Sequence, residues 1–416
     1  MENRAGKTVK NFSGESAYYS FYPQPLPPVP AIEIDSEMLS LITDAHEKLA
    51  ILNSVSDRIP NKDLFILMYV RKEALLSSQI EGTQCTLDDV LDPKADENIN
   101  SDVSDVVNYI KAINFSTQRL AELPLCNRLI RETHAVLMKS VRGCDKTPGE
   151  FRVSQNWIGG AGSTLKNARY IPPNPSDMKE CMYDFEKFMN NEDKMNILVK
   201  VALLHYQFET IHPFLDGNGR VGRLLITLFL MQNQAISAPI LYLSYYLKSN
   251  RIEYYDRMSE IRKSGNYEQW IKFFLRGIAE TAQDATETID LLTALHRKNE
   301  KILTETQRSA KKSFDLMRYI EQVSDTEPNK TAAAIKKFIT ENQRATNKLF
   351  EFLYYIERFP ILETKKTAAA LHCSYNTAAN YISLFCEKGI LKQTSKSGKS
   401  RIYSYEDYLA ILRKGV

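Results

Sequence analysis

An apolar helical segment, Val199–Phe208, runs towards Pro213, passes through a glycine-rich turn and enters a second apolar segment, VGRLLITLFL. No other stretch restricts the fold of this chain so tightly. Proline disfavours helical geometry in its predecessor, so the first helix must end ahead of Pro213 and His212 falls in the connection. The motif HPFLDGNGRVGR, His212 to Arg223, then carries the chain into the next helix. Asp216-Gly217-Asn218-Gly219 reads as a turn whose glycines can take positive φ and let backbone N–H groups face a ligand. Arg220 and Arg223 open the second helix at i and i+3, on one face, and offer two forked donors. A loop feeding a helix N-terminus is an anion site, so phosphate is the expected ligand. Asp216 is a hard oxygen ligand suited to a Mg²⁺ that also needs phosphate oxygens and waters. His212 can accept a proton near neutral pH. Phe214 is expected to point inward as an anchor. Any one of these residues alone is an ordinary surface or core group; the argument lies in their conjunction.

Composition sets the frame. At 416 residues the chain should form two or three domains with substantial cores. Its hydrophobic and charged fractions, 43% and 25%, are those of a globular protein. A net charge of +3 argues for neither a nucleic-acid nor a membrane partner from the whole molecule. The cysteines at 85, 126, 144, 181, 373 and 386 form no CxxC and no His/Cys cluster, which speaks against zinc and a disulfide framework. With no signal-peptide pattern and no membrane-length apolar run, a cytoplasmic protein without a membrane partner is expected.

The first twenty residues are polar and read as loosely ordered, followed by a proline-dense extended arm, Tyr22–Pro30, laid over the body. Helical periodicity runs from Ile34, over Asn61–Ile80 with Gly82 as its stop, and over Val103–Leu120 and Leu129–Ser140. Phe151–Pro175 alternates on both sides of GGAG and reads as a short β-hairpin. Helices follow at Ser176–Met189, Ile197–Phe208, Leu224–Gln232 and Tyr267 to about Gln322. Beyond a linker at Thr326–Lys330, Lys and Arg outnumber Asp and Glu about twofold. Helices at Ala345–Arg358, Lys365–Leu371 and Tyr375–Lys388, then a basic-tipped hairpin, make a winged helix-turn-helix pattern. The expected fold class is mainly helical with a short β-hairpin, plus this C-terminal module.

His212–Arg223 resembles the Fic-domain signature HPFx[DE]GNGRxxR, matched at every fixed position. The resemblance implies transfer of AMP from ATP to a hydroxyl of a target protein, or of the enzyme itself, with release of pyrophosphate. His212 would be the base and Asp216 the Mg²⁺ holder. Asn218 and the Gly217 and Gly219 backbone would bind the α- and β-phosphates. Arg220 and Arg223 would bind the β- and γ-phosphates, with Val221 and Gly222 between them in the nucleotide-binding stretch. The hairpin at Asn156–Pro172 would be the family's flap, aligning a target segment along Asn156, Trp157, Ile158, Tyr170 and Ile171 by β-augmentation. Tyr254 and Tyr255 resemble the aromatics bordering the adenine, and suit core packing equally. The implied division is 1–120 for the N-terminal helical region with its proline arm, 121–280 for the catalytic core, 281–330 for a helical connector and 331–416 for the winged helix.

The helix ending SSQIEGT carries a second motif. Glu81 sits at a helix C-terminus, the wrong end of the dipole for an anion unless a cation waits for it. Ser77 to Gly82 resembles the family's inhibitory motif [ST]xxxE[GN], in which the glutamate pairs with the second arginine, here Arg223. Such a pair can be bidentate and would occupy the place of the γ-phosphate.

Other readings stay open. Some Fic-type proteins transfer phosphate, UMP or phosphocholine, although Arg223 favours AMP, and some use the same glutamate to remove AMP from targets. Alternatively the core is an inactive sensor in a DNA-binding regulator, with Lys392, Lys396, Lys399 and Arg401 meeting phosphates. The recognition helix YNTAANYISLFCEK has few basic groups for that task, and winged helices serve protein contacts as well. The apolar helices flanking the core could also form a homodimer.

Overall fold

A computed structural model describes residues 2–56, 59, 62–92, 100–139, 145–160, 162–322, 347–397 and 400–414. Cys144, Asn61, Ser140, Ala161, the linker Thr326–Lys330, Ala345 and Lys399 lie outside the described residues. The chain divides into two compact units. One holds Met1–Val90, Ala95–Glu287 and Gly415–Val416; the other holds Leu91–Lys94 and Thr288–Lys414.

Two helices form the centre of the first unit. Helix α7 (Ile197–Ile211) is buried at every residue from Leu198 onward, its polar side chains included. The Asn196 side chain caps it by accepting the Leu198 N–H. Lys200, buried within it, reaches the Asn191 carbonyl at 2.7 Å and Asp193 at 3.1 Å. Helix α8 (Asn218–Gln232) follows after a six-residue connection, 212–217, and buries Arg220–Leu230. Its start lies ahead of the apolar run, so both arginines stand in its first two turns. Trp270, on α11 (Tyr267–Gln322), donates its indole N–H to the Ala202 carbonyl of α7.

Around this pair stand α1 (Ser36–Ser56), α2 (Lys62–Ile80), α3 (Leu87–Leu91), α4 (Ser101–Arg119), α5 (Asn127–Leu137), α6 (Pro175–Met189), α9 (Ser244–Ser249) and α10 (Arg251–Ser264). Gly82, at φ 100°, takes the chain out of α2 as the sequence predicts.

Two expectations change. Residues 2–23 are not loose: β1 (Glu2–Asn3), β2 (Gly6–Asn11) and β3 (Tyr18–Pro23) form an antiparallel sheet in that order. The polar composition of β1 and β2 hid it, because β2 buries one residue of six and needs few apolar side chains. The sheet is tied down by polar contacts. Asn3 donates to the carbonyls of Arg262 and Lys263 and Arg4 to that of Gly265, satisfying the C-terminal end of α10. The following arm is fixed by Gln207, which donates to the Gln24 carbonyl, and by Arg4, which donates to that of Pro30. The second change is at 151–175, where the expected hairpin contracts to one antiparallel bridge, Ile158 with Tyr170. Trp157 spends its indole N–H on Ser163 within the tip, and turns replace further ladder bonds.

In the second unit, residues 347–358 form α12. Strand β4 (Ile361–Glu363), α13 (Thr364–Ala370), α14 (Tyr375–Glu387), β5 (Lys392–Ser397), β6 (Ser400–Ser404) and α15 (Glu406–Arg413) follow. The strands pair antiparallel in the order β4-β6-β5, and β5 and β6 follow the helices α13 and α14 in the chain. Ser374 caps α14 by accepting the Thr377 N–H. Among the described residues no helix is long and apolar enough to cross a membrane.

Asn174 links sheet and core: its oxygen caps α6 through the Ser176 and Asp177 N–H groups, and its amide donates to Asn11 of β2. Asn174→Ala should lower the unfolding free energy by about 1–2 kcal/mol, the usual weight of a helix cap, read from the midpoint of urea unfolding at unchanged slope.

Candidate active site

His212 ends α7 in the left-handed conformation, φ 52°, its N–H donating to the Phe208 carbonyl at 2.9 Å. That turn directs the chain from the helix into the loop. Its Nδ1 is buried without a hydrogen-bond partner. Burial, with the charge of Arg152 second, pushes the imidazole down to about 4, so it is neutral at pH 7.

The loop that follows is held from several sides. Asn218 clamps Phe214, its oxygen accepting the Phe214 N–H and its amide donating to the Phe214 carbonyl, both at 2.8 Å. This commits the Asn218 side chain to the loop and leaves backbone N–H groups as the natural anion donors at the start of α8. Phe214 is fully buried, as expected, and stacks on His134 of α5 with ring centroids 3.7 Å apart. His134 accepts the Gly149 N–H at Nδ1, which puts its proton on Nε2, and Nε2–H donates to the Asp216 carbonyl at 3.0 Å. Gly217 precedes α8 at φ 75°, and a Cβ there would lie 2.9 Å from the Met138 sulfur. Its N–H donates to Oδ1 of Asp216, whose side chain is 47% exposed.

The two arginines are held unequally. Arg220 is buried, yet its carboxylate neighbours Asp105 and Asp216 are 3.7 and 3.9 Å away and its Nε has no hydrogen-bond partner. Arg223 is held through two of its nitrogens: Nε donates to Ser77 Oγ at 2.9 Å, and Nη2 to the Ser77 carbonyl at 2.9 Å and to Glu81 Oε1 at 2.7 Å. The Glu81 contact is through one oxygen. The Arg223 side chain is 1% exposed and that of Glu81 39%, so the pair runs from the core to the mouth of the site. Desolvation works to raise the Glu81 carboxyl; the charge and hydrogen bond of Arg223 outweigh it, and the group is held below the usual glutamate range. Gly219 makes the approach possible, since a Cβ there would stand 2.1 Å from Glu81 Oε1. Gly222 does the same for Glu209, whose Oε1 would be 2.2 Å from its Cβ. Burial raises Glu209 and Glu73 to about 7.

Of the other predicted residues, Asn156 of the flap reaches this centre directly. Val221 is fully buried core. Tyr254 is 1% exposed, its hydroxyl donating to His205 Nε2 while Nδ1–H of that neutral histidine donates to the Gly222 carbonyl. Tyr255 is half-buried, with Arg169 and Arg251 near its ring. In the flap, Tyr170 donates its hydroxyl to the Thr210 carbonyl of α7, Ile171 accepts the Phe21 N–H of β3, and Asn156 donates to the carbonyls of His212 and Phe214. Sequence reasoning missed His134 and Arg152, since neither carries a local motif.

Among the described residues no three His, Cys, Asp or Glu side chains cluster as a metal cage. Asp216 supplies one exposed carboxylate, which fits a Mg²⁺ completed by phosphate oxygens and water.

With this geometry in view, comparison with known proteins is specific. Residues 39–118 match the Fic/DOC family N-terminal model and residues 124–230 the Fic/DOC family model. These two regions are where the chain is similar to the Fic/DOC family. It is 33% identical over 184 residues to the protein adenylyltransferase Fic of Drosophila erecta, covering 44% of this chain and 32% of that protein. To the protein of that name from Culex quinquefasciatus it is 37% identical over 146 residues, 34% of this chain and 24% of the relative. The chain thus spans about a third or less of the relatives it matches. A crystal structure of a Fic family protein from Desulfovibrio desulfuricans shares the fold, with a TM-score of 0.51 at 16% identity over 90% of this chain and 97% of that one.

Histidine NMR tests the electrostatics of the site. The imidazoles of His134 and His212 should stay neutral from pH 8 down to their values of about 4, with His134 as the Nε2–H tautomer. Titration of either near the ordinary histidine value of about 6.5 would contradict the burial described.

Proposed function

We propose that this chain is a protein adenylyltransferase whose resting state is self-inhibited. The observation that carries the activity is a neutral imidazole, His212, fixed at the end of α7 directly ahead of a phosphate-type loop and helix N-terminus. His212 takes the proton of the acceptor hydroxyl as its oxygen bonds the α-phosphorus of ATP. The bond from that phosphorus to the bridging oxygen breaks, and pyrophosphate leaves with the electron pair. The loop N–H groups, Arg220 and Arg223 hold the phosphates. Asp216 would hold Mg²⁺, which when bound neutralises phosphate charge. The acceptor is a target protein or the enzyme itself, docked along the flap.

The brake reading rests on Arg223. Its Nη2 is already bonded to Glu81 and the Ser77 carbonyl, so ATP must displace Glu81 to use this arginine for its γ-phosphate. Because the Glu81 carboxyl is held low, the brake is ionised throughout the neutral range and acidification to pH 5 does not release it.

A second, accessory reading concerns the C-terminal unit. Tyr375, Asn376, Asn380 and Ser383 form an exposed face of α14, and asparagine amides can read adenine edges in a major groove. Affinity for duplex DNA that falls as salt rises supports it; no binding at low salt removes it.

Labelled ATP with Mg²⁺ tests the main reading. Glu81→Gly should raise self-labelling about tenfold, the low end for a charged hydrogen bond because Glu81 is partly exposed. Adding His212→Ala should lower that labelling by about a hundredfold or more. No labelling of self or lysate proteins by Glu81→Gly would overturn the proposal.

A further inference from the structure

Arg152 is the most deeply buried cation of the first unit, with 0% of its surface exposed, and it forms no ion pair among the described residues. Burial brings its guanidinium down to about 10, still charged at neutral pH. Burying a charge without a counter-ion is costly unless its donors are satisfied. Here backbone carbonyls satisfy them. Nε donates to the His212 carbonyl at 2.9 Å and Nη2 to that of Ile211 at 3.4 Å, the last carbonyls of α7. Nη1 donates to Ser154 at 3.4 Å and Nη2 also to Pro173. These residues are the two feet of the flap, just outside the Ile158–Tyr170 bridge. The Arg152 N–H completes the set by donating to the Pro213 carbonyl at 2.9 Å. A positive charge is favoured there, because a helix C-terminus carries partial negative charge.

We infer that Arg152 is a positioning residue: one guanidinium ties the end of α7 that carries His212 to both feet of the flap, fixing base and acceptor-docking segment in one register. The inference rests on the adenylyltransferase reading for what that register does. A transfer step needs the acceptor oxygen, the base and the phosphorus aligned closely, and a displacement of about 1 Å costs on the order of a hundredfold. Asn156 supports the same register from the flap side, donating to the carbonyls of His212 and Phe214. Arg152 also acts through its charge. The charged groups that bear on His212 are Arg152 itself, Glu81 beyond the end of α2 and Arg262 of α10. Arg152 and Arg262 favour the neutral imidazole and Glu81 opposes them, so loss of Arg152 raises its proton affinity.

The test uses the full chain with Glu81→Gly as parent, adding Arg152→Lys, which keeps the charge and loses the fork, or Arg152→Gln, which loses the charge. ATP affinity should be unchanged in both, because Arg152 touches none of the groups assigned to the nucleotide. The transfer rate should fall about a hundredfold in both, and the acidic limb of the pH–rate profile should move to higher pH in Arg152→Gln alone. Asn156→Ala, which strands no buried charge, covers the case in which Arg152 variants fail to fold, and should give a smaller loss at constant ATP affinity. Transfer at the parent rate, or a fall matched by weakened ATP binding, overturns the inference. Should the parent transfer nothing, the enzymatic reading fails, and histidine NMR still decides this one. The His212 titration must then move up in Arg152→Gln and not in Arg152→Lys, and an unmoved titration overturns it.

Discussion

A buried guanidinium must be met, and in this protein the partners that meet Arg223 organise the site around it. The side chain is sealed from solvent inside the first unit, where an unpaired charge costs several kcal/mol. Ser77 supplies a hydroxyl and a carbonyl and Glu81 a carboxylate, all from the last turn of α2 and the residue after it. That end of α2 is therefore placed by Arg223 as much as by its own packing. Gly219 is the complement, leaving open the volume that the Glu81 carboxylate enters. Behind the pair, burial raises Glu73 and Glu209 to about 7, so each carries less negative charge at neutral pH than an exposed glutamate would.

The reacting end of the site is built on the opposite principle. Around His212 and His134 burial removes charge, and both imidazoles are kept neutral. A neutral imidazole beside a phosphate-type loop can accept a proton; a protonated one could only bind anions. His134 fixes the loop through the Asp216 carbonyl, Asn218 fixes it through Phe214, and Arg152 fixes the carbonyls at its entrance. Rigidity comes from bonds to backbone atoms, leaving Asp216 exposed and Arg220 loosely held for ligands.

What could be read from the sequence follows from the range of each signal. Helices α2, α7, α8 and α11 announced themselves because their apolar periodicity is strong and local, and Pro213 and Gly82 mark boundaries by backbone sterics alone. The residues from His212 to Arg223 were legible because they adjoin in the chain. Pairing of Glu81 with Arg223 was legible only through resemblance, since 142 positions separate them. Arg152 and His134 act across 60 and 82 positions through backbone carbonyls, which leave no trace in side-chain pattern. The N-terminal sheet was missed because β1 and β2 are polar and its anchorage is distant, at α10 and the flap. The flap itself was overestimated: alternation in the sequence was real, but its turns and side-chain bonds leave room for one bridge. Tyr254, open to two readings in the sequence, is buried and bonded to His205.

The central claim is that Glu81 and the γ-phosphate of ATP compete for one arginine. Calorimetric affinities for ADP and ATP, compared in the native chain and in Glu81→Gln, test it most directly, because the two nucleotides differ only in the γ-phosphate. The account predicts that ATP and ADP bind the native chain alike, whereas ATP gains about tenfold over ADP in Glu81→Gln, the weight of one charged hydrogen bond partly exposed to water. An ATP-to-ADP ratio that is the same in both proteins would contradict it.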